Sequence, residues 1–342
     1  MNAGSNNRGV TTEERIVLIV TLWVALLAAP FAVTAQPAGK VPRVGYLSPL
    51  SASDPQVQRS LDVFRQALRG FGHVEGQSVA IEYRFAEGKH ERLPDLATEL
   101  VRLKVDVIVT TTGVPTVEAA QRATKTIPII MTGPADPVAA GLVASLARPG
   151  GNITGLTMIS HELVGKELEL LREVVPKLST VGVLWNPTNP GNVTQLRGAE
   201  AAARTLGMRL QPVEARSPGE IDTAFVAMTR ERAGALLVLL DAVLLEQREM
   251  IADLAAKNRL PAVYGLGRHA EAGGLMAYSA NELDLSRRAA SYVDRILKGA
   301  KPADLSVEQP TRFELVINMR AARALGLTMP RSLLLRADQV IE

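Results

Sequence analysis

This sequence predicts an α/β protein of two Rossmann-like lobes, each a parallel sheet covered by helices on both faces. A repeat, a rhythm and a length support that reading. The repeat is "VGYLSP" at 44–49 and "VGVLWNP" at 181–187, two apolar runs that each stop at a small polar residue followed by proline. The rhythm is the alternation of continuous apolar runs with segments of helical spacing, as parallel strands buried on both faces require. The length, 342 residues, exceeds one average domain and suits two.

In the first half, 44–47 reads as a strand. Leu61, Phe64, Ala67, Leu68 and Phe71 follow at helical spacing, and the glycines of "RGFGHVEG" stop that helix. Val79, Ile81, Tyr83 and Phe85 alternate with the period of a strand. Residues 93–103 read as a helix with Pro94 in its first turn. "VDVIVTTTG" is a buried strand, 116–123 a helix, "IPIIMTG" a strand and "NITGLT" a short strand after "RPGG". The second half repeats the order: strand "VGVLWN", helix 193–206, strand "MRLQPVEA", helix 220–229, strand "ALLVLLD", one long helix 244–258 and strand "LPAVYG". The tail adds strand "GGLMAYS", an amphipathic helix 283–297, a strand in "VEQPTRFELVIN" and a short helix ending at Gly326. These late elements patch both lobes, so the chain is expected to cross between them through a hinge of several crossovers. The first lobe is then 42–155 with 275–303, and the second 156–274 with 304–342.

The N-terminus differs. Residues 16–35, "IVLIVTLWVALLAAPFAVTA", carry no charge, follow Arg8 and Arg15, and end in Val33-Thr34-Ala35. Basic, apolar and small in that order reads as a signal peptide over 1–35, the competing reading being a membrane anchor, since about 20 apolar residues can span a bilayer. Cysteine is absent, so the exported chain has no disulfides and no lipid-modified cysteine, and a soluble periplasmic protein is expected. Hydrophobic residues are 47 % and charged residues 21 %, ordinary for a globular protein. The net charge of +3 is small, with Lys and Arg scattered among Asp and Glu, which gives no basic patch for a nucleic acid.

Enzyme chemistry is thin. His73, His90, His161 and His269 lie far apart in no metal-ligand spacing and read as surface or turn residues. Thiol nucleophiles are excluded, and neither a GxSxG elbow nor a GxxxxGK phosphate loop occurs. "GLGRHA" at 265–270 fits GxGxxA, but "EAGG" breaks the chain before the long helix a dinucleotide site needs. No cofactor, no metal and no catalytic residue are expected.

What recurs instead is polar residues at strand ends, where open parallel sheets bind ligands. Ser48, Thr112, Gly113 and Asp136 follow strands of the first half; Asn186, Asn189, Asp241 and Tyr264 follow strands of the second; Tyr278 ends the returning strand. Each could simply cap a helix. Together, on facing lobes, they predict a ligand cleft, with Asp241 for an ammonium or hydroxyl and the tyrosines against an apolar or ring-shaped part.

The stretches "GFGHVEGQSVAIEYRFAEG", "TKTIPIIMTGPADPVAAGLVASLARPGGNITGLT", "YVDRILKGAKPADLSVEQPTRFELVINMRAARALGL" and "LLLRADQVIE" carry a resemblance over nearly all of 41–342. The chain resembles the periplasmic substrate-binding proteins of ABC transporters, and more narrowly the branch that includes tryptophan and aromatic amino-acid uptake proteins. The resemblance implies a type I periplasmic-binding fold that closes on a small solute and delivers it to a membrane permease, acting as a monomer. In that branch the stretch matching "LLDAVL" carries Asp followed by Asn and Thr; here Asp241 is kept, but Ala242 and Val243 replace the polar pair. The stretch matching "LWNPTNP" carries a Glu where Thr188 stands. These departures remove much of the grip for a zwitterionic amino acid, which leaves an aromatic or apolar small molecule beside it. The alternatives are a ligand sensor of the same fold signalling to a membrane receptor, a two-lobed hydrolase, and a ligand-controlled repressor. The hydrolase would need a nucleophile–base pair, and the repressor a helix-turn-helix where the apolar segment stands.

Overall fold

The computed structural model describes residues 40–134 and 136–342; the expected signal peptide lies outside the described residues. Residues 41–342 form one compact unit built on two sheets. In the first lobe the elements are β1 (Arg43–Ser48), α1 (Pro55–Gly70), β2 (Ala80–Phe85), α2 (Leu93–Arg102), β3 (Val107–Thr111), α3 (Val114–Ala123), β4 (Ile129–Thr132) and β5 (Ile153–Leu156). The second lobe follows with α4 (Ser160–Val174), β6 (Thr180–Trp185), α5 (Pro190–Leu206), β7 (Arg209–Glu214), α6 (Pro218–Arg230), β8 (Ala235–Val238), α7 (Ala242–Glu246), α8 (Arg248–Lys257), β9 (Ala262–Tyr264), α9 (Gly267–Glu271) and β10 (Met276–Ala280). Then come α10 (Glu282–Leu297), β11 (Phe313–Asn318), α11 (Met319–Ala324), α12 (Arg331–Leu334) and β12 (Gln339–Ile341).

The five-stranded sheet has the order β2-β1-β3-β4-β5, and the seven-stranded sheet β12-β11-β10-β9-β8-β6-β7. The run β7-β6-β8-β9-β10 repeats the order of the first sheet, so β6 holds the place of β1. The repeated phrase is thus a repeated position in the fold. All pairs within the first sheet are parallel, and in the second only β10–β11 is antiparallel.

Alternate residues of each strand feed separate cores on the two faces. On the first sheet Val44, Val107 and Val109 pack with α1 and α10, while Leu47, Ile108 and Ile129 pack with α2 and α3. On the second, Val181, Val183 and Leu237 pack with α4 and α5, and Leu184, Leu236 and Val238 with α6 and α8. Leu240, Leu245 and Leu266 of the second lobe join the α1–α10 cluster of the first. Apolar packing therefore continues across the lobe boundary.

The two-lobed α/β architecture is as the sequence predicts, with four differences in detail. Strand β10 belongs to the second sheet, paired with β9 and β11, whereas 275–303 as a block is expected in the first lobe. Only α10 returns to the first lobe, packing on α1, because its apolar face (Leu285, Ala289, Val293, Ile296) completes that core. The segment after it stays there as far as Glu308, which bridges to Leu156, so the second return falls after 308 rather than at 303. The crossovers are then residues 157–159, Asn281 and 309–312. Helix α4, with Leu163, Val164, Leu168 and Leu171 buried, has no counterpart among the expected elements, and the expected helix 244–258 is broken into α7 and α8 at Gln247.

Glu314 sits beside the Asn281 crossover, its Oε2 accepting from Asn281 Nδ2 at 2.8 Å. Burial, then the neighbouring charge of Glu282, pushes its carboxyl up to about 7; Asp338 and Glu271 add to the effect. The folded protein therefore keeps a proton that the unfolded chain has lost between about pH 4.5 and 7, and stability contributed by this group falls as pH rises through that window. Glu314→Gln is expected to flatten that slope and to melt higher than the parent at pH 8. Melting temperatures of both proteins at pH 5 and pH 8 check it.

Candidate functional site

A cleft lies between the carboxyl ends of the two sheets. Its first-lobe wall includes Tyr46 and Ser48 of β1, Thr111 at the end of β3 with Thr112 after it, and Thr132 at the end of β4 with Gly133 after it. Ser48 is buried, and its Oγ accepts from the Leu50 N–H at 3.2 Å. Thr112 and Gly113 reverse the chain from β3 into α3 through the left-handed region, at φ 51° and 86°, which a glycine adopts without strain. Helix α3 starts there with no side-chain cap, which leaves the N–H groups of its first turn without a side-chain acceptor, and Gly113, Val114 and Pro115 line the cleft.

The second-lobe wall is a buried polar network. The Asn186 Oδ1 accepts from Thr188 N and Oγ1, closing the proline-flanked turn. Asn189 caps α5 by accepting from Gly191 N, with Pro190 at the first helical position. Asp241 caps α7, its Oδ1 accepting from Val243 N at 2.8 Å and Leu244 N at 3.2 Å. The same carboxylate accepts from Asn189 Nδ2 at 2.9 Å and from Asn186 Nδ2 at 3.3 and 3.4 Å. Asn189 and Asp241 border the cleft together with Thr112, Gly113 and His90, while Asn186 stands behind Asp241.

Ion pairs stitch the lobes together at one end. Arg248 Nη2 reaches Asp54 Oδ2, the cap of α1, at 2.9 Å. Arg268 of α9 makes a fork on Glu282 of α10, Nε to Oε2 at 2.9 Å and Nη2 to Oε1 at 3.0 Å. Nearby, Ser51 N donates to Glu246 Oε1 at 3.1 Å. The cleft is nearly shut, with about 40 Å³ of room, against roughly 300 Å³ or more in typical ligand sites. A solute must part the lobes to enter.

Three expected site residues stand elsewhere. Asp136 turns its Oδ1 onto Val138 N and Ala139 N, an Asx turn outside the cleft lining. Tyr264 is the last residue of β9, and strand alternation sends its side chain into the α6–α8 core, fully buried and stacked on His269 at 4.7 Å. Tyr278 lies within β10, half-buried and stacked on Phe313 at 6.1 Å. The expected surface or turn position of His269 is likewise corrected: it is 1 % exposed, and burial pushes its imidazole down to about 3, leaving it neutral. Among the described residues, no cluster of three or more side chains is arranged to hold a metal ion, and no helix is long and apolar enough to cross a membrane.

The family model described as "ABC transporter substrate binding protein" matches residues 50–341. The chain belongs to that family. It is 26 % identical over 273 residues to the tyrosine-binding protein of Clostridioides difficile, covering 80 % of this chain and 78 % of that one. An ABC domain from Streptococcus pneumonia, solved in complex with L-Trp, superposes with a TM-score of 0.82 at 28 % identity, covering 88 % of this chain and 99 % of that one. The ligand-free, open structure of a substrate binding protein with adhesive properties from Clostridium difficile covers the same shares, 88 % and 99 %, with a TM-score of 0.66 at 25 % identity.

Several cleft residues of this substrate-binding protein escape sequence reasoning. Arg268 lies in "GLGRHA", a motif whose helix is too short for a nucleotide; Arg268 and Glu282 line the cleft with Leu50, Met158, Leu240 and Leu266. A charged residue four positions past the end of an apolar strand was the available signal. Glu282 carries none, because its place depends on where the chain crosses between lobes.

Proposed function

We propose that this substrate-binding protein works outside the cytoplasm as a monomeric, non-catalytic carrier that closes its lobes on an aromatic or apolar small molecule of amino-acid size and hands it to a membrane permease. The observation that carries the reading is the cleft: polar Ser48, Thr111, Thr112 and Thr132 of the first lobe line it together with apolar Leu240 and Leu266 of the second. A solute that touches both walls stabilises the closed arrangement, since only differential affinity for two states shifts their balance. One chain supplies both walls, which supports action as a monomer. The better superposition on the L-Trp complex than on the ligand-free open structure fits a fold that has both arrangements. The names of the similar proteins, for tyrosine and L-Trp, support the size class of the solute. The apolar, uncharged run at 16–35 supports export.

The test is a thermal-shift screen of amino acids, aromatic acids, purines and sugars, followed by small-angle scattering with the best hit. A bound solute at 100 times its Kd should stabilise the fold by about 2.7 kcal/mol and lower the radius of gyration. Turnover of the hit, or a screen in which no solute both stabilises and compacts the protein, would overturn the reading.

A further inference from the structure

The charged side chains at the cleft are almost all committed to one another. Arg248, Asp54, Arg268 and Glu282 form a chain of two cations and two anions running between the lobes. Within it, Arg268 is 5 % exposed, and its Nη1 has no hydrogen-bond partner; the nearest carboxylate oxygen, Asp54 Oδ1, is 3.9 Å away. A guanidinium cannot shed its proton to escape burial, so this amino group is a donor in want of an acceptor. The uncapped start of α3 at Gly113 borders the adjoining part of the cleft and adds partial positive charge.

The acceptors tell the complementary story. Among the described residues, the carboxylates that line the cleft are Glu282 and Asp241. Both oxygens of Glu282 are held by the Arg268 fork. Both oxygens of Asp241 are held by two backbone N–H groups and two asparagine amides. A solute ammonium would have to share the Glu282 carboxylate with Arg268 and lie beside that buried guanidinium, and burying a cation so poorly compensated is unfavourable. A solute carboxylate would find Arg268, a pairing shorter and stronger than a neutral hydrogen bond. The remaining walls, Leu50, Met158, Leu240 and Leu266, suit an apolar body.

We infer that the solute is an apolar or aryl carboxylic acid without an α-ammonium group, its carboxylate taken by Arg268 Nη1. This rests on the reading of the cleft as the solute site and departs from the amino acids named for the similar proteins.

Calorimetric titration of the purified chain with matched series tests it: phenylacetate, phenylacetamide, phenylalanine and phenethylamine, then indole-3-acetate, tryptophan and tryptamine. The acid of at least one series is expected to bind about 30-fold or more tighter than its amino acid, and the amine not at all. Arg268→Gln should weaken the acid about 100-fold while leaving phenylacetamide within about threefold, a contrast that a merely structural role would not produce. Should that variant fail to fold, the parent decides alone: the acid must exceed its amide by about tenfold. An amino acid or amine that binds as tightly as its acid overturns the inference. So does binding of none of these probes when another solute from the wider screen closes the lobes, which would leave the proposed function standing. If no solute closes them, the function itself falls and the inference falls with it.

Discussion

Glu282→Ala is expected to lower the stability of this protein by about 3 kcal/mol. The substitution removes both bonds of the fork at once and leaves Arg268 buried, charged and facing only Asp54 at 3.9 Å. Breaking a buried pair by deleting one partner costs about 3–5 kcal/mol, and the low end applies because the Glu282 side chain is 25 % exposed and water can partly replace it. Arg268→Met combined with Glu282→Leu should recover most of the loss, since neither charge is then left uncompensated. Urea unfolding of parent, single and double variants measures this. A single variant within about 1 kcal/mol of the parent would show that the fork is worth no more than a surface pair.

Asp241→Ala should be nearly as costly, at about 3 kcal/mol, and for a different reason. The loss combines a helix cap, about 1 kcal/mol, with two buried asparagine amides left without an acceptor, about 1 kcal/mol or more each. Asp241→Asn should cost less, because its carbonyl oxygen can still cap Val243 N and Leu244 N, although its amide then confronts that of Asn189. Equilibrium unfolding separates the three proteins. Solute affinity, by contrast, should change less than about tenfold in Asp241→Asn, because both carboxylate oxygens are already occupied inside the wall. A larger loss would mean that Asp241 touches the solute directly.

The contrast between Asp241 and Arg268 shows how far a cleft can be read from sequence. Asp241, Asn189, Ser48, Thr112 and Gly113 were legible because a strand followed by a small polar residue and a helix places that residue at the sheet's carboxyl edge. What such a residue does there was not legible. Capping and ligand binding use the same atoms, and only the partners of Asp241 show that its oxygens are taken. Tyr264 misled for a simpler reason. It ends a three-residue strand, and whether a terminal side chain turns into the core or out into the cleft depends on the strand's pairing register, fixed by β8 and β10.

The local and the periodic were legible in the sequence: every strand but β12, most of the helices, the duplicated winding with β1 and β6 at matching positions, and the family. These rest on apolar spacing, capping residues and prolines, which act over a few neighbours in the chain. The tertiary structure alone decided which sheet β10 joins, that α10 returns to the first lobe without it, and that Arg268 meets Glu282 and Asp54 across the cleft. Those outcomes depend on which apolar faces remain to be covered once both sheets exist and on charges brought together from distant parts of the chain. No local pattern encodes either, because burial is settled by the whole molecule at once.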